Sequence, residues 1–501
     1  MRLSSSITPV LLIGLTSASG HTPPQGCQEV CDRLSEEFPS QVLLRNQSEY
    51  DSAKHSFWST IQGTVSPICF FKPEIPEEVS RAVVLTRGGN CRFAVKSGGH
   101  ASFEASTIED GLVIDLTKLN RVVVSKDRRT AIIEPGGTWS VVYHALQEYN
   151  LTVPGGRQFG VGVGGLALGG GISWLSNLLG WTCDNILEYE IVLADGRIVK
   201  ANPKSHKDLF WALRGGGSNF GIVTKFKFLT QEQGKLWNGN LLFNATQNLT
   251  VNAAFAKWGN SLAPTDPRSG GIVVWDAHAD APPNGIAVLF HADTFAENTH
   301  PEVFNEFYDA DRIEALEANA FHGDIAEGFV VPGSVTRTSF WTTSWVLDTE
   351  LTQQVFEFWN KESKSIASFA TQQQLQIQIV TRSQMNFMRT NGGNPTGLAD
   401  LSKPIGFINL IMRWEKAEDD EAVYRVQQRI QDRIDDAAKQ KGLYSTFQYL
   451  NYASQFQDPF ASYGTVNKQR LLRIAKKYDP QGVFQTLANS GFKLTKDPQS
   501  L

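Results

Sequence analysis

The chain has 501 residues, 41% of them apolar and 19% charged, with a formal net charge of -5. That length exceeds one ordinary domain and supplies apolar residues for more than one core. The acid excess excludes a general electrostatic affinity for nucleic acid or for an acidic membrane surface.

In chain order, Arg2, the run Val10-Leu11-Leu12-Ile13-Gly14-Leu15 and the small residues from Thr16 to Gly20 read as a secretory signal over 1–20. The run is too short to span a bilayer and no other stretch reaches that length, so a secreted or secretory-pathway protein without a membrane anchor is expected. Secretion makes Cys27, Cys31, Cys69, Cys91 and Cys183 candidates for disulfides, and their odd number leaves at least one without a partner in the chain. One bridge from the Cys27/Cys31 segment to Cys69 is expected, because it ties a loose N-terminus to the folded body. Asn46, Asn150, Asn244 and Asn248 stand in N-x-S/T sequons and are candidate glycan acceptors. No metal site is expected, since the nine histidines are scattered and no Cys-x-x-Cys or His-x-x-x-His pair occurs.

A helix over 28–38 is followed by a proline-punctuated connector over 67–76 and a helix over 77–87 that Gly88-Gly89 stops. A strand over 92–96 then leads into Lys96-Ser97-Gly98-Gly99-His100. The two glycines allow consecutive N–H groups to turn toward one anion, with Lys96 as countercharge, and they place a nucleophilic imidazole directly behind the turn. Taken alone, such a turn is more often an ordinary polar loop. Short β-branched runs at 112–116, 122–125 and 131–133, then a helix over 139–149, suggest a small α+β unit.

Residues 154–171, PGGRQFGVGVGGLALGGG, contain nine glycines in 18 positions. The spacing Gly160-x-Gly162-x-x-Gly165 invites a Rossmann reading, which fails on its flanks. No buried strand precedes it, and Gly169-Gly170-Gly171 interrupts any helix that follows. The remaining meaning is a backbone that closely approaches something large, flat or anionic. A hairpin over 190–193 and 197–200 turns at Asp195-Gly196, a helix spans 205–213, and a third glycine cluster, Gly215-Gly216-Gly217, precedes a strand over 223–228.

Beyond Gln231, strands are expected at 271–275, 286–290 and 405–414, and the clearest helix at 418–441, with Val423, Val426, Ile430 and Ile434 on one face. The glutamines of 372–378 are read as a polar face, with a strand aiming alternate side chains into a cleft as the alternative. Trp341 and Trp345 are assigned to a helical face or a loop in a core. Tyr449-Leu450-Asn451-Tyr452 is expected as a short strand, 467–478 as a helix and 482–485 as an extended tail. A buried tyrosine ordinarily only satisfies its hydroxyl in a core.

The ordered set KSGGH at 96–100, GLVIDLTKLN at 111–120, EPGGTW at 134–139, GVGVGGLALGGG at 160–171, DLFWALRGGGSNFGIVT at 208–224, YLNY at 449–452 and KYDPQGVF at 477–484 resembles the fungal berberine bridge enzyme-like group. That group lies within the vanillyl-alcohol oxidase and p-cresol methylhydroxylase superfamily of flavoproteins, and the resemblance covers roughly 40–494. It implies an α+β fold: a two-part FAD-binding domain of the p-cresol methylhydroxylase type plus an α+β substrate domain with an antiparallel sheet. The segments would be the signal at 1–20, an N-terminal segment at 21–62, the FAD domain at 63–233, the substrate domain at 234–447 and a segment at 448–495 returning to the FAD domain.

The resemblance also implies roles. Backbone groups of Lys96, Ser97, Gly98, Gly99 and Ala101 would hold the FAD pyrophosphate, with His100 joined covalently to the flavin. Gly160, Val161, Gly162, Gly164, Gly165, Gly169, Gly170 and Gly171 would run along the cofactor, and Ile222 and Val223 would contact it. Relatives with a second, cysteinyl link carry that cysteine where Gln158 stands here, so attachment through His100 alone is expected, and Cys183 lies too far along to substitute. Tyr449 is the leading catalytic base and Tyr452 the second, while Asn451 would hold cofactor or substrate by hydrogen bonds. A free phenol titrates near ~10, so a base at neutral pH needs a cation or the flavin beside it. The expected activity is a dioxygen-dependent, peroxide-forming oxidation of a small fungal secondary metabolite. The alternatives are an oligosaccharide oxidase and an inactive secreted glycoprotein of the same fold.

Overall fold

The computed structural model describes residues 26–278, 281–328 and 336–501; the expected signal over 1–20 lies outside them. The first sheet orders Val42–Leu44, Cys69–Phe71, Leu112–Asp115 and Phe93–Lys96, antiparallel at the first pair and parallel thereafter. Its edge strand thus comes from the segment that precedes residue 63. Strand Cys69–Phe71 occupies the stretch read as a connector, because three fully buried residues between Pro67 and Pro73 are too few to show a period. Helix Pro76–Gly88 packs Val79, Ala82, Val83 and Leu85 inward, with Pro76 and two acids in its first turn and Arg87 in its last.

Two disulfides staple the N-terminus to this sheet, Cys31–Cys69 as expected and Cys27–Cys91 in addition. Cys183 is free and buried. A second, antiparallel sheet orders Val122–Val124, Thr130–Ile133, Ile222–Leu229, Ile186–Val192 and Ile198–Ala201.

The third sheet has nine strands among the described residues, all antiparallel. Side chains alternate across it. Val273, Trp275, Leu375, Ile377, Ile408, Leu410 and Met412 face helices Asn248–Lys257, Thr349–Ser363 and Asp420–Gln440, forming one core. Ile272, Val274, Ile286, Val288, Gln374, Gln376, Asn409, Ile411 and Arg413 face the other way, into a cavity. The glutamine cluster is therefore the strand Gln372–Val380 aimed into a cleft, the alternative reading. Trp341 and Trp345 are buried but lie in two strands, Arg337–Trp341 and Ser344–Val346, whose break at Thr342-Thr343 imitates helical spacing.

The chain end returns to the first sheet: Phe93 N donates to Leu487 O (2.9 Å), Asn489 N to Phe93 O (2.7 Å) and Val95 N to Ser490 Oγ (2.8 Å). Residues expected as an extended tail form helix Val483–Thr486, because both carboxylate oxygens of Asp479 accept the N–H groups of its first turn, Val483 and Phe484. No helix among the described residues is long and apolar enough to cross a membrane.

His322 shows what burial does to a titrating core group. Its ring stacks on Tyr143 at 3.7 Å, Nδ1 shares a hydrogen bond with Thr152 Oγ1 (3.0 Å), and Nε2 is buried without a partner. Burial lowers its pKa from 6.5 to about 3. The unfolded chain therefore binds a proton that the folded chain refuses, and stability falls as pH drops from 6.5 toward 3, with no contribution above that window. We expect His322→Gln to flatten the acid limb of the melting temperature against pH; a limb identical to wild type assigns the acid sensitivity elsewhere.

Candidate active site

The cavity measures about 570 Å³ and lies between the glycine-rich turns of the first two sheets and the open face of the third. Gly98 and Gly162 meet backbone to backbone on its wall. A Cβ on Gly98 would stand 2.5 Å from Gly162 N, and one on Gly162 2.2 Å from Gly98 N, so only glycine fits either position. Gly99 takes the left-handed conformation (φ 66°). Ser97 Oγ donates to Pro135 O (2.5 Å) and accepts from Gly164 N (3.2 Å), which ties the first glycine turn to the second.

The turn is held from behind as well. Gly99 O accepts from Trp58 N (3.0 Å) and Gln62 Nε2 (3.1 Å), and Ala101 O accepts from Gln62 Nε2 (2.8 Å). Among the described residues, the N–H groups of Gly98, Gly99, His100 and Ala101 have no protein acceptor, and all four residues line the cavity. Consecutive free amides at a glycine turn form an anion cradle, and this one suits the pyrophosphate of FAD.

Lys96 takes no part in it. Its Nζ lies over the Phe57 ring and pairs with Asp115 Oδ2 at 3.4 Å, a buried contact between register partners on neighbouring strands. The countercharge expected of Lys96 is thus spent inside the fold, and the residue is off the cavity wall.

The long glycine stretch divides in two. Val161, Gly162, Gly164 and Gly165 line the cavity, as do Ile222 and Val223. Gly160, Gly169, Gly170 and Gly171 do not, the first for its backbone conformation and the other three for packing. Gly160 is a positive-φ turn in open space, whereas a Cβ on Gly169 would meet Asn451 Oδ1 at 2.0 Å, one on Gly170 the Trp181 ring at 2.7 Å and one on Gly171 Thr182 Oγ1 at 2.4 Å. Helix Val163–Leu168 ends at Gly169 after six residues, which agrees with rejecting a Rossmann turn.

His100 stacks on Trp58 at 4.3 Å, and its Nε2 is buried with no hydrogen-bond partner. Burial first, then the field of Arg413, lowers its pKa to about 4 against its own backbone carbonyl. The ring is neutral and nucleophilic at neutral pH, and a polar atom this costly to bury unpaired fits one committed to a bond with the flavin. Trp58 and Gln62, which build this corner, escaped notice in the sequence because 55–63 carries no motif and no period.

Tyr449 to Tyr452 form a turn closed by Tyr452 N to Tyr449 O (2.9 Å), not a strand. Asn451 spends its Nδ2 on Leu166 O (3.2 Å) and on the Tyr449 hydroxyl (3.0 Å), bracing the glycine stretch while still lining the cavity. Tyr449 is fully enclosed, and burial followed by the neighbouring Tyr452 pushes its pKa well up, opposite to what a base needs. The Tyr452 hydroxyl instead accepts from Arg157 Nη2 (2.7 Å) and Gln378 Nε2 (3.2 Å). Two donors, one cationic, converge on the Tyr452 oxygen.

Backbone cradle, neutral imidazole and enclosed cavity together describe a flavin nucleotide site. Residues 67–202 match the FAD binding domain family. The chain is 33% identical to the FAD-dependent monooxygenase tpcD of Cochliobolus heterostrophus, over 93% of this chain and 94% of that one. Its fold is shared with the solved structure of Physcomitrella patens BBE-like 1 (20% identity, TM-score 0.76, 94% of this chain and 98% of that one). It is shared too with the xylooligosaccharide oxidase of Myceliophthora thermophila C1 (22% identity, TM-score 0.73, 94% and 100%). The chain belongs to the family of FAD-dependent oxidoreductases that includes these fungal monooxygenases, and it shares the fold of the berberine bridge enzyme-like structures.

Proposed function

We propose that this protein is a secretory-pathway, FAD-linked oxidase of a small fungal secondary metabolite, with the flavin attached through His100 alone. The carrying observation is the buried, partnerless imidazole nitrogen beside four free backbone amides. The bound flavin would accept hydride from the substrate and be reoxidised by dioxygen to hydrogen peroxide. Arg157 and Gln378 hold the Tyr452 oxygen, which takes the substrate's proton. Tyr449 keeps its proton and packs the turn. The apolar wall of Ile272, Val274, Ile286 and Val288 favours a metabolite over an oligosaccharide. Two disulfides within the first hundred residues favour an oxidising compartment.

Acid precipitation of the purified yellow protein tests the attachment. Colour is expected in the pellet for wild type and in the supernatant for His100→Ala; colour in the wild-type supernatant removes His100 as the anchor. Peroxide release is then measured over a panel of metabolites and sugars. Turnover of simple sugars displaces the metabolite reading, and oxygen from dioxygen appearing in the product in place of peroxide marks a monooxygenase.

A further inference from the structure

Arg413 is a charged group of the cavity that the proposed chemistry leaves unused. It lies on strand Ile405–Trp414 with its side chain on the cavity face, its guanidinium carbon 5.7 Å from the centre of the Trp58 ring. Its Nε is buried without a hydrogen-bond partner, and among the described residues it forms no ion pair. The acid whose field reaches it is Asp276, on strand Ser269–His278. That carboxylate is engaged elsewhere: its Oδ2 accepts from Gln372 Nε2 (2.8 Å) and Gln374 Nε2 (3.0 Å) and lies 3.5 Å from His278 Nε2.

No aspartate or glutamate lines the cavity among the described residues. The other cation on its wall, Arg157, is committed to Tyr452 and to Gln378 Oε1 (2.7 Å) and stacks on Trp174 at 5.0 Å. A guanidinium withdrawn from water with no direct ion pair, only the more distant field of Asp276, is costly, and its planar fork matches a pair of anionic oxygens. Trp58, Phe340 and Tyr452 follow one another along the adjoining wall, with ring centres 5.1 Å and 6.2 Å apart. A flat molecule anchored at Arg413 therefore extends toward the Tyr452 hydroxyl.

We propose that Arg413 receives an anionic oxygen pair on the substrate, a carboxylate or the enolate of a 1,3-dicarbonyl, and so selects a planar acidic metabolite and sets its register against Tyr452. This rests on the cavity being the flavin-dependent active site argued above.

The test uses the FAD-loaded enzyme and the change in its visible spectrum on titration with 2-naphthoate, with 2-naphthamide, with a cyclic 1,3-dione and with the methyl enol ether of that dione. Wild type is expected to bind at least one anionic member about tenfold or more tightly than its neutral counterpart, and the pair showing it distinguishes carboxylate from enolate. Arg413→Gln abolishes that preference while retaining the flavin spectrum, and Arg413→Lys keeps part of it, because the charge remains and the fork is lost. Equal binding of acid and neutral partner by wild type, no saturable change with either acid, or a preference undiminished in Arg413→Gln overturns the proposal alone. A protein that neither carries nor takes up flavin overturns it together with the reading on which it rests.

Discussion

Replacing Tyr452 with phenylalanine lowers the rate of flavin reduction by substrate about 10²- to 10⁴-fold, the range that a positioned proton acceptor contributes. FAD is expected to remain bound, because His100 and the amide cradle are untouched. The expectation rests on which tyrosine oxygen can carry negative charge. At Tyr452, Arg157 and Gln378 both donate to it at hydrogen-bond distance. At Tyr449 the single donor is a neutral amide, and complete burial favours the protonated phenol. Tyr449→Phe is accordingly expected to change reduction by less than about tenfold. Arg157→Met is expected to slow reduction as well, because the Tyr452 oxygen loses its cationic donor. Stopped-flow reduction in the absence of oxygen measures all three variants. A Tyr452→Phe rate close to wild type, or a deeper loss in Tyr449→Phe, returns the role to Tyr449.

The sequence exposed this site unevenly, for physical reasons. Glycines at 98 and 162 were legible because close backbone contact leaves no substitute for them, and Gly99 because of its positive φ, whereas Gly164 meets only side chains at 3.3 Å and Gly165 has open space around it. Gly169, Gly170 and Gly171 looked identical in sequence, yet their missing side chains make room for Asn451, Trp181 and Thr182. Lys96 was misread for a related reason: a lysine beside a phosphate turn and a lysine pairing with a register neighbour give the same letters, and Asp115 lies 19 residues away. Arg413, Asn409, Gln374 and Gln376 were unreadable as a set, since only cross-strand register brings Gln374 opposite Ile411 and Gln376 opposite Asn409. The fold itself was more legible, because strands of period two and the amphipathic helix Asp420–Gln440 carry their burial pattern locally.

Arg214→Met is expected to cost about 3–5 kcal/mol, the range for uncovering one member of a buried ion pair. Arg214 and Asp184 are both buried and meet at 2.8 Å. The guanidinium also donates to Cys183 O (3.1 Å), Thr390 O (3.0 Å) and Gly393 O (2.7 Å). One side chain thereby joins the turn after the long glycine stretch, the third glycine cluster that follows Arg214 directly, and the loop of Thr390 and Gly393 beyond strand Gln372–Val380. Burial raises the Asp184 pKa and Arg214 is the chief opposing influence, so its loss leaves a carboxylate that the fold prefers protonated. A group whose folded pKa is raised loses its stabilising contribution as pH rises. The deficit of Arg214→Met relative to wild type at the same pH should therefore grow from acidic to neutral buffer. Adding Asp184→Asn removes the charge while keeping an acceptor for Trp181 N, and it should recover part of the loss and its pH dependence. Urea midpoints of the four proteins at two pH values measure both effects. A single-variant cost below about 1 kcal/mol would show that neither set of Arg214 contacts holds the fold, and a double variant no better than Arg214→Met would show that the clamp works through its carbonyl contacts and not through the ion pair.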